Sequence, residues 1–141
     1  RFTILACRAR RAGPADRPWL ETRAGGRLLD VVTLHFAGDE PFCFEERLIS
    51  LDTVPAAAAA DFSDRTPGQW LLDQVPWSSA EHRIQATGAT EASAGRLGIP
   101  AGAPCLVIER RTWSTAGPVT YVRFTYPGSR HMLVARFTPK S

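Results

Sequence analysis

The side chains with the clearest chemical potential are concentrated in two neighbouring apolar segments. His35 is the penultimate residue of the stretch LLDVVTLHF, and Glu45 and Arg47 lie within FCFEERLISL. A histidine, a carboxylate and a guanidinium together can move protons, or they can bind a small ligand that offers a donor and an anion. One interpretation is a structural Glu45–Arg47 pair at a sheet edge or dimer contact, and the other is a ligand pocket floored by the sheet.

The familiar catalytic and metal-binding motifs are missing from the sequence. It contains no G-x-S-x-G, H-E-x-x-H, P-loop or G-x-G-x-x-G pattern. The three cysteines Cys7, Cys43 and Cys105 are odd in number and widely spaced, so we expect small core residues and neither a disulfide framework nor a zinc ribbon. The histidines also lack the spacing that places two ligands on one helical face. We therefore expect no metal site and no cofactor.

Alternating hydrophobicity predicts that the charged cluster lies on a β-hairpin. Residues 28–36 and 42–51 are typical of strands, and AGDEP turns the chain between them. If Phe36 lies opposite Phe42, Thr33 lies opposite Glu45. In that register one face of the hairpin carries His35, Cys43, Glu45 and Arg47.

The remaining elements predict an α+β fold, a single antiparallel sheet with short flanking helices. Residues 2–7 are typical of a first strand. The other residues of the segment 1–27 are typical of a linker. Further strands are expected at residues 81–89, 105–114, 119–126 and 131–138, and helices at residues 54–61, 67–74 and 91–97. Thr66, Pro67 and Gln69 have the pattern of a capped helix start, whose free N–H groups and positive dipole end also suit an anion.

Length and charge limit the function further. A chain of 141 residues with 44% apolar composition predicts one domain, and no apolar run is long enough to cross a bilayer, so we expect a cytoplasmic protein. Residues 1–27 carry a net charge of +5, and the remainder carries −2. Because a nucleic-acid surface needs a dense basic face, we do not expect this chain to bind DNA by itself.

Several longer motifs resemble a known family. They are HFAGDEPFCFEERLISLDTVPAAAAADFSDRTPGQWLL, EHRIQA, GAPCLVIERRTWS and YPGSRHMLVARF. Together they resemble the UTRA effector-binding domain of GntR-type repressors, in particular the HutC histidine-utilisation subfamily, over about residues 28–138. The resemblance implies a chorismate-lyase-like fold and a winged helix-turn-helix domain that this chain lacks. It also implies that operator DNA is bound only through that missing domain.

The resemblance also assigns site residues. Sugar-phosphate-sensing relatives carry an R-x-R pair in the first hairpin strand, where this sequence has Thr33 and His35. The family's pocket glutamate matches Glu45, its helix-start hydroxyl matches Thr66, and a late tyrosine matches Tyr126. The family's second carboxylate position is Thr120 here. The candidate ligand-binding residues are therefore His35, Glu45, Arg47, Thr66, Tyr126, Thr33 and Tyr121.

The function that follows from the resemblance is effector sensing without catalysis. The subfamily senses urocanate, whose imidazole N–H suits Glu45 as acceptor and whose carboxylate suits donors such as Arg47 and Thr66. A two-fold operator implies a homodimer, with a sheet edge or the C-terminal strands as candidate interfaces. The alternatives are a lyase of the same fold acting on an aromatic carboxylic acid, a sensor of a different small carboxylate, or a dimerisation module with a vestigial pocket.

Overall fold

Six antiparallel strands form one sheet that carries the candidate residues. The computed structural model describes residues 1–140 and confirms the α+β class within them. The strands are β1 Phe2–Arg11, β2 Arg27–Ala37, β3 Glu40–Ser50, β4 Ser79–Gly88, β5 Pro104–Ser114 and β6 Gly117–Pro127, in the spatial order β1-β2-β3-β6-β5-β4. The hairpin β2–β3 therefore lies beside β6, which brings residues from distant parts of the chain onto one surface.

The helices are short and begin where the sequence signals predict. A 3₁₀ helix spans Pro55–Ala59, α1 spans Pro67–Gln74 and α2 spans Glu91–Leu97. The hydroxyls of Thr66 and Thr90 accept hydrogen bonds from backbone N–H groups in the first turns of α1 and α2. The helix expected over residues 54–61 is reduced to the 3₁₀ segment, because so short a helix is marginal without packing and only Ala57 within it is buried.

The register of the β2–β3 hairpin agrees with the expectation at the charged cluster. Thr33 pairs with Glu45, and His35 pairs with Cys43. The expected pairing of Phe36 with Phe42 is wrong, because a bulge after His35 places Phe36 opposite Pro41. The bulge lies beyond the cluster, so the predicted shared face of His35, Cys43, Glu45 and Arg47 is preserved.

Each face of the sheet is covered by a different set of elements. The face that carries Glu45, called the Glu45 face below, packs Val31 and Ile49 against the 3₁₀ helix and α1 through residues such as Leu71. On the opposite face, Leu34 and Phe44 pack against Leu97 of α2, and Leu28 and Tyr121 pack against the segment that follows β1. The core is thus built around the β2–β3 half of the sheet.

The N-terminal region is more regular than expected. The first strand runs to Arg11 rather than ending at residue 7, because it pairs along the whole of β2. The segment after it is held by Arg10, whose guanidinium bonds both oxygens of Asp16 at 2.7 and 2.8 Å and also reaches Asp30. These contacts lie on the face opposite Glu45, so Arg10 does not enter the site.

The strand expected over residues 131–138 is not formed. Both sides of β6 are already paired, one with β3 and the other with β5. A strand that continued the chain after β6 therefore could not pair with β6. After Arg130 bonds the carbonyl of Pro41, the chain runs on without regular structure and leaves Met132 and Phe137 exposed. Within residues 1–140, the structure contains no helix both long and apolar enough to cross a bilayer.

Candidate ligand-binding pocket

A cavity of about 230 Å³ opens on the Glu45 face, between the sheet and α1. This volume is below the roughly 300–1,000 Å³ of pockets for drug-sized molecules, so it fits a smaller ligand. The lining residues come from β2, β3, α1, the loop after α1, β5 and β6: His35, Glu45, Arg47, Thr66, Gly68, Leu71, Leu72, Val75, Trp77, Arg110, Thr112, Val119, Thr120 and Phe124.

The centre of the polar wall is the carboxylate of Glu45. One oxygen lies 2.8 Å from Nε2 of His35, and the other accepts a hydrogen bond of 2.9 Å from Nε of Arg47. Glu45 is 2% exposed. Burial alone would raise the pKa of the Glu45 carboxyl, but the charge of Arg47 and the hydrogen bonds from His35 and Arg47 outweigh burial and lower it below its usual value. Glu45 is therefore held as a carboxylate.

Arg47 is fixed by contacts on three sides. Besides Glu45, its guanidinium donates to Oγ1 of Thr120 at 3.3 Å, and that hydroxyl donates to the carbonyl of Leu48 at 2.7 Å. A Cβ placed on Gly68, in the first turn of α1, would lie 3.0 Å from a terminal nitrogen of Arg47. The glycine thus lets the guanidinium approach the helix start closely. Thr120, which stands where the family's second carboxylate is expected, positions Arg47 instead.

A second guanidinium enters the cavity from β5. Arg110 is directly opposite Val122 of β6, which in turn is opposite Arg47 of β3, so the two arginines flank β6 on the same face. Nε of Arg110 donates to Nε2 of His82 on β4 at 2.8 Å. Sequence reasoning missed Arg110 as a site residue. The alternation of β5 was the available signal, since it separates Arg110 from its neighbours Glu109 and Arg111 on the opposite face.

The other lining residues supply one hydroxyl and an apolar wall. The Thr66 hydroxyl accepts from the backbone N–H of Gln69 at 3.1 Å, which leaves its own hydrogen free to donate toward the cavity. The side-chain amide of Gln69 donates to the carboxylate of Asp73, one turn further along α1. Leu72 and Trp77, also missed from the sequence, are exposed apolar residues at the rim. A planar ligand could pack against them.

Three of the expected site residues lie outside the cavity lining. Thr33 is fully buried beneath the site, and its hydroxyl has no hydrogen-bond partner within residues 1–140. Tyr126 stacks on His131 with ring centroids 3.8 Å apart, and burial raises the pKa of its hydroxyl. Tyr121 is on the opposite face, where its hydroxyl donates to Glu109 at 2.5 Å. The alternation of β6 separates Tyr121 from the pocket, so its expected placement is wrong.

The charges of the lining residues define what the pocket can bind. Arg47 and Arg110 contribute two positive charges and Glu45 one negative charge, with His35 beside it. No group of three or more metal-ligating side chains occurs in the part of the chain that the structure describes. A net positive pocket with a buried acceptor is chemically suited to a small anion that also carries a donor.

Comparison with known proteins places this chain in a family. The UTRA domain family matches residues 1–132. The chain belongs to the UTRA domain family. Curated relatives of this UTRA domain include histidine utilization repressors from Pseudomonas aeruginosa, 37% identical over 127 residues, and from Klebsiella aerogenes, 33% identical over 137 residues. These alignments cover 90% and 97% of the chain but 51% and 57% of the relatives, so the chain spans about half their length.

Solved structures share the fold of this UTRA domain. The C-terminal domain of the histidine utilization repressor from Pseudomonas syringae pv. tomato superposes with a TM-score of 0.91 at 36% identity, covering 98% of both chains. The effector domain of PhnF from Mycobacterium smegmatis superposes with a TM-score of 0.85 at 14% identity, covering 98% of this chain and 86% of the other. The second comparison shows that the fold persists where little sequence identity remains.

Proposed function

We propose that this UTRA domain is the effector-binding half of a transcriptional repressor of histidine-utilisation genes, and that its effector is a small imidazole carboxylate such as urocanate. The observation that carries the proposal is the His35–Glu45–Arg47 cluster, in which Glu45 and Arg47 are buried, opening onto a small, net positive cavity. Two relatives that cover most of the chain are named histidine utilization repressors, which supports the same physiological setting. A repressor of this kind acts in the cytoplasm.

The two ends of urocanate match the two kinds of group in the pocket. Its imidazole N–H needs an acceptor, and each oxygen of Glu45 retains a lone pair beyond the hydrogen bond it already accepts. Its carboxylate needs donors, which the cavity supplies as guanidiniums and the Thr66 hydroxyl. Thr33 and His35 replace the arginine pair expected for a sugar-phosphate sensor, which argues against a phosphate ligand.

Binding without turnover is part of the proposal. Glu45 and His35 are the groups suited to acid–base chemistry, but they are hydrogen-bonded to each other and Glu45 is also tied to Arg47. The relatives with shared sequence are named repressors and not enzymes. Urocanate recovered unchanged after prolonged incubation is the expected result, and its conversion would favour the lyase alternative.

We further propose that two copies associate and that DNA is bound by the remaining part of a longer repressor. Residues 131–138 have the apolar composition of a strand but no partner strand among residues 1–140, while β1 and β4 have free edges. Pairing of this segment with an edge strand of a second copy would cover its exposed apolar side chains. Light scattering is expected to give a dimer mass for the chain and a monomer mass after removal of residues 131–141.

The release of DNA when the effector binds then follows from a difference in the effector's affinity for two arrangements of the repressor. A ligand shifts the equilibrium between two arrangements of a dimer by no more than the difference in its affinity for them. A pocket built from β3, β5, β6 and α1 can couple ligand binding to the relative position of sheet and helix. In the full-length repressor, urocanate is expected to lower affinity for a two-fold operator.

Calorimetric titration of the chain with urocanate tests the effector directly. Saturable binding is expected for urocanate and not for a sugar phosphate, and the absence of urocanate binding would refute the proposed effector. Glu45→Gln should weaken binding, because it removes the charge that holds His35 and Arg47 in place. Glu109→Gln is the matched control, since Glu109 is also a buried carboxylate but lies on the opposite face.

A further inference from the structure

The guanidinium of Arg110 is only partly used by the protein. Its Nε donates to His82, but within residues 1–140 neither of its terminal nitrogens has a protein acceptor and no carboxylate lies within salt-bridge distance. A guanidinium has five N–H donors arranged as a fork that matches a carboxylate. Arg110 is half-buried and lines the cavity, so its unused donors are available to a ligand bound there.

Arg47 supplies the other guanidinium of the pocket, and it already donates hydrogen bonds to protein groups. It is 5% exposed and donates to Glu45 and Thr120, so its charge is neutralised by a buried carboxylate. Neighbouring strands are about 4.8 Å apart, which separates the Cα atoms of Arg47 and Arg110 by about 10 Å across β6. Burial and the charge of Arg47 both lower the pKa of Arg110, as expected for a cation without a partner.

His82 holds Arg110 in this position. The two residues are directly opposite on β4 and β5, and Nε2 of His82 must be unprotonated to accept the hydrogen bond from Nε. The guanidinium carbon of Arg110 lies 6.0 Å from the ring centre of Phe124, which lines the floor of the cavity beside it. Together these contacts hold the guanidinium in place and leave its two terminal nitrogens without a protein acceptor within residues 1–140.

We propose that Arg110 binds the carboxylate of the effector and makes the pocket selective for small monoanions over zwitterionic amino acids. This inference rests on the proposed function and assigns the anionic end of the ligand. The ligand then lies across β6, with its imidazole at Glu45 and its carboxylate at Arg110. Histidine carries the same two groups, but its ammonium would lie beside the guanidinium, and like charges repel in a partly desolvated site.

The test compares urocanate with its methyl ester, which keeps the shape but lacks the negative charge. In the intact chain, urocanate should bind more tightly than either the ester or histidine. Arg110→Gln should weaken urocanate binding by about 10- to 100-fold, the value of a charge-assisted contact, while the affinity for the ester changes by less than about threefold. The ratio of the two affinities therefore reports on the carboxylate contact and not on folding.

Arg111→Gln is the matched control for Arg110→Gln. It removes the same charge from the next residue of β5, but Arg111 is on the opposite face and bonds Glu81. It should leave both affinities unchanged. His82→Leu should reduce the urocanate-to-ester ratio less than Arg110→Gln does, and His82→Gln, which keeps an acceptor, should restore it. That rescue identifies His82 as a positioning residue.

Each outcome separates the two proposals. If the unaltered chain binds urocanate and Arg110→Gln binds it equally well, Arg110 does not hold the carboxylate, and the proposed function stands. If Arg110→Gln weakens the binding of urocanate and of the ester equally, Arg110 contributes to the shape of the pocket but does not contact the carboxylate. The inference is then overturned. If the unaltered chain binds no urocanate, the proposed effector fails and the assignment of Arg110 fails with it.

Discussion

Replacement of Glu45 by glutamine should destabilise this domain strongly. The carboxylate is 2% exposed and accepts from both His35 and Arg47, and Arg47 is itself 5% exposed. Glutamine keeps the shape and one acceptor oxygen but leaves the buried guanidinium without a counter-charge. Breaking a buried ion pair by removing one partner costs about 3–5 kcal/mol. We therefore expect the free energy of unfolding at pH 7 to fall by about that amount in Glu45→Gln.

A double-mutant cycle distinguishes the ion pair from independent packing effects. Arg47→Met should also cost about 3–5 kcal/mol, because it leaves Glu45 buried and unpaired. The double variant removes both charges, so it should be more stable than the sum of the two single losses predicts, by at least about 1.5 kcal/mol. Urea denaturation measures all three variants. Additive losses, with a coupling below about 0.5 kcal/mol, would show that the pair does not act as a unit.

The same variant should change how stability depends on pH. Because the pKa of Glu45 is lowered in the folded protein, its contribution is fully present above the pKa of the unfolded chain, near 4.5, and is lost as pH falls through the lower folded value. The intact domain should therefore lose more stability between pH 7 and about pH 3 than Glu45→Gln does. Parallel acid-limb slopes for the two proteins would contradict the lowered pKa.

Four further substitutions test separate parts of the structure, each by urea denaturation together with a ligand titration. Thr66→Ala should cost about 1 kcal/mol and weaken urocanate binding, whereas Thr90→Ala, which removes the equivalent cap of α2, should cost a similar amount and leave affinity unchanged. Tyr121→Phe should cost about 1.5–3 kcal/mol by removing the donor to buried Glu109, and any loss of affinity would contradict its place on the opposite face. Leu97→Ala should cost about 2–5 kcal/mol, and a cost below about 1 kcal/mol would contradict its packing against Leu34 and Phe44 of the sheet.

The candidate site was predictable where alternation and register sufficed. Strand period 2 and a short turn placed His35, Glu45 and Arg47 on one face, and the bulge after His35 lies beyond them. The start of α1 followed from Thr66 and Pro67, whose preferences are local. Arg110 was not predicted, because its role depends on β5 lying two strands from β3 in an order that no local pattern specifies.

The failures have a common physical origin. Tyr121 was expected in the pocket, but the pairing of Leu48 with Tyr121 puts it on the face opposite Glu45. Residues 131–138 have the apolar composition of a strand, yet a strand also needs a neighbour with free backbone groups, and both sides of β6 are already paired. A pattern in one segment records a preference, whereas pairing is a property of two segments.

The sequence by itself determined the fold class, the hairpin that carries the charged cluster, the helix caps and the resemblance to UTRA domains, because these depend on local periodicity and on motifs read along the chain. Only the tertiary structure decided which residues share the cavity. The sheet order β2-β3-β6-β5 places Arg47 and Arg110 on the two strands that flank β6, and α1 covers the cavity that both residues line. That convergence rests on long-range strand pairing, whose partners are chosen by the packing of the whole domain.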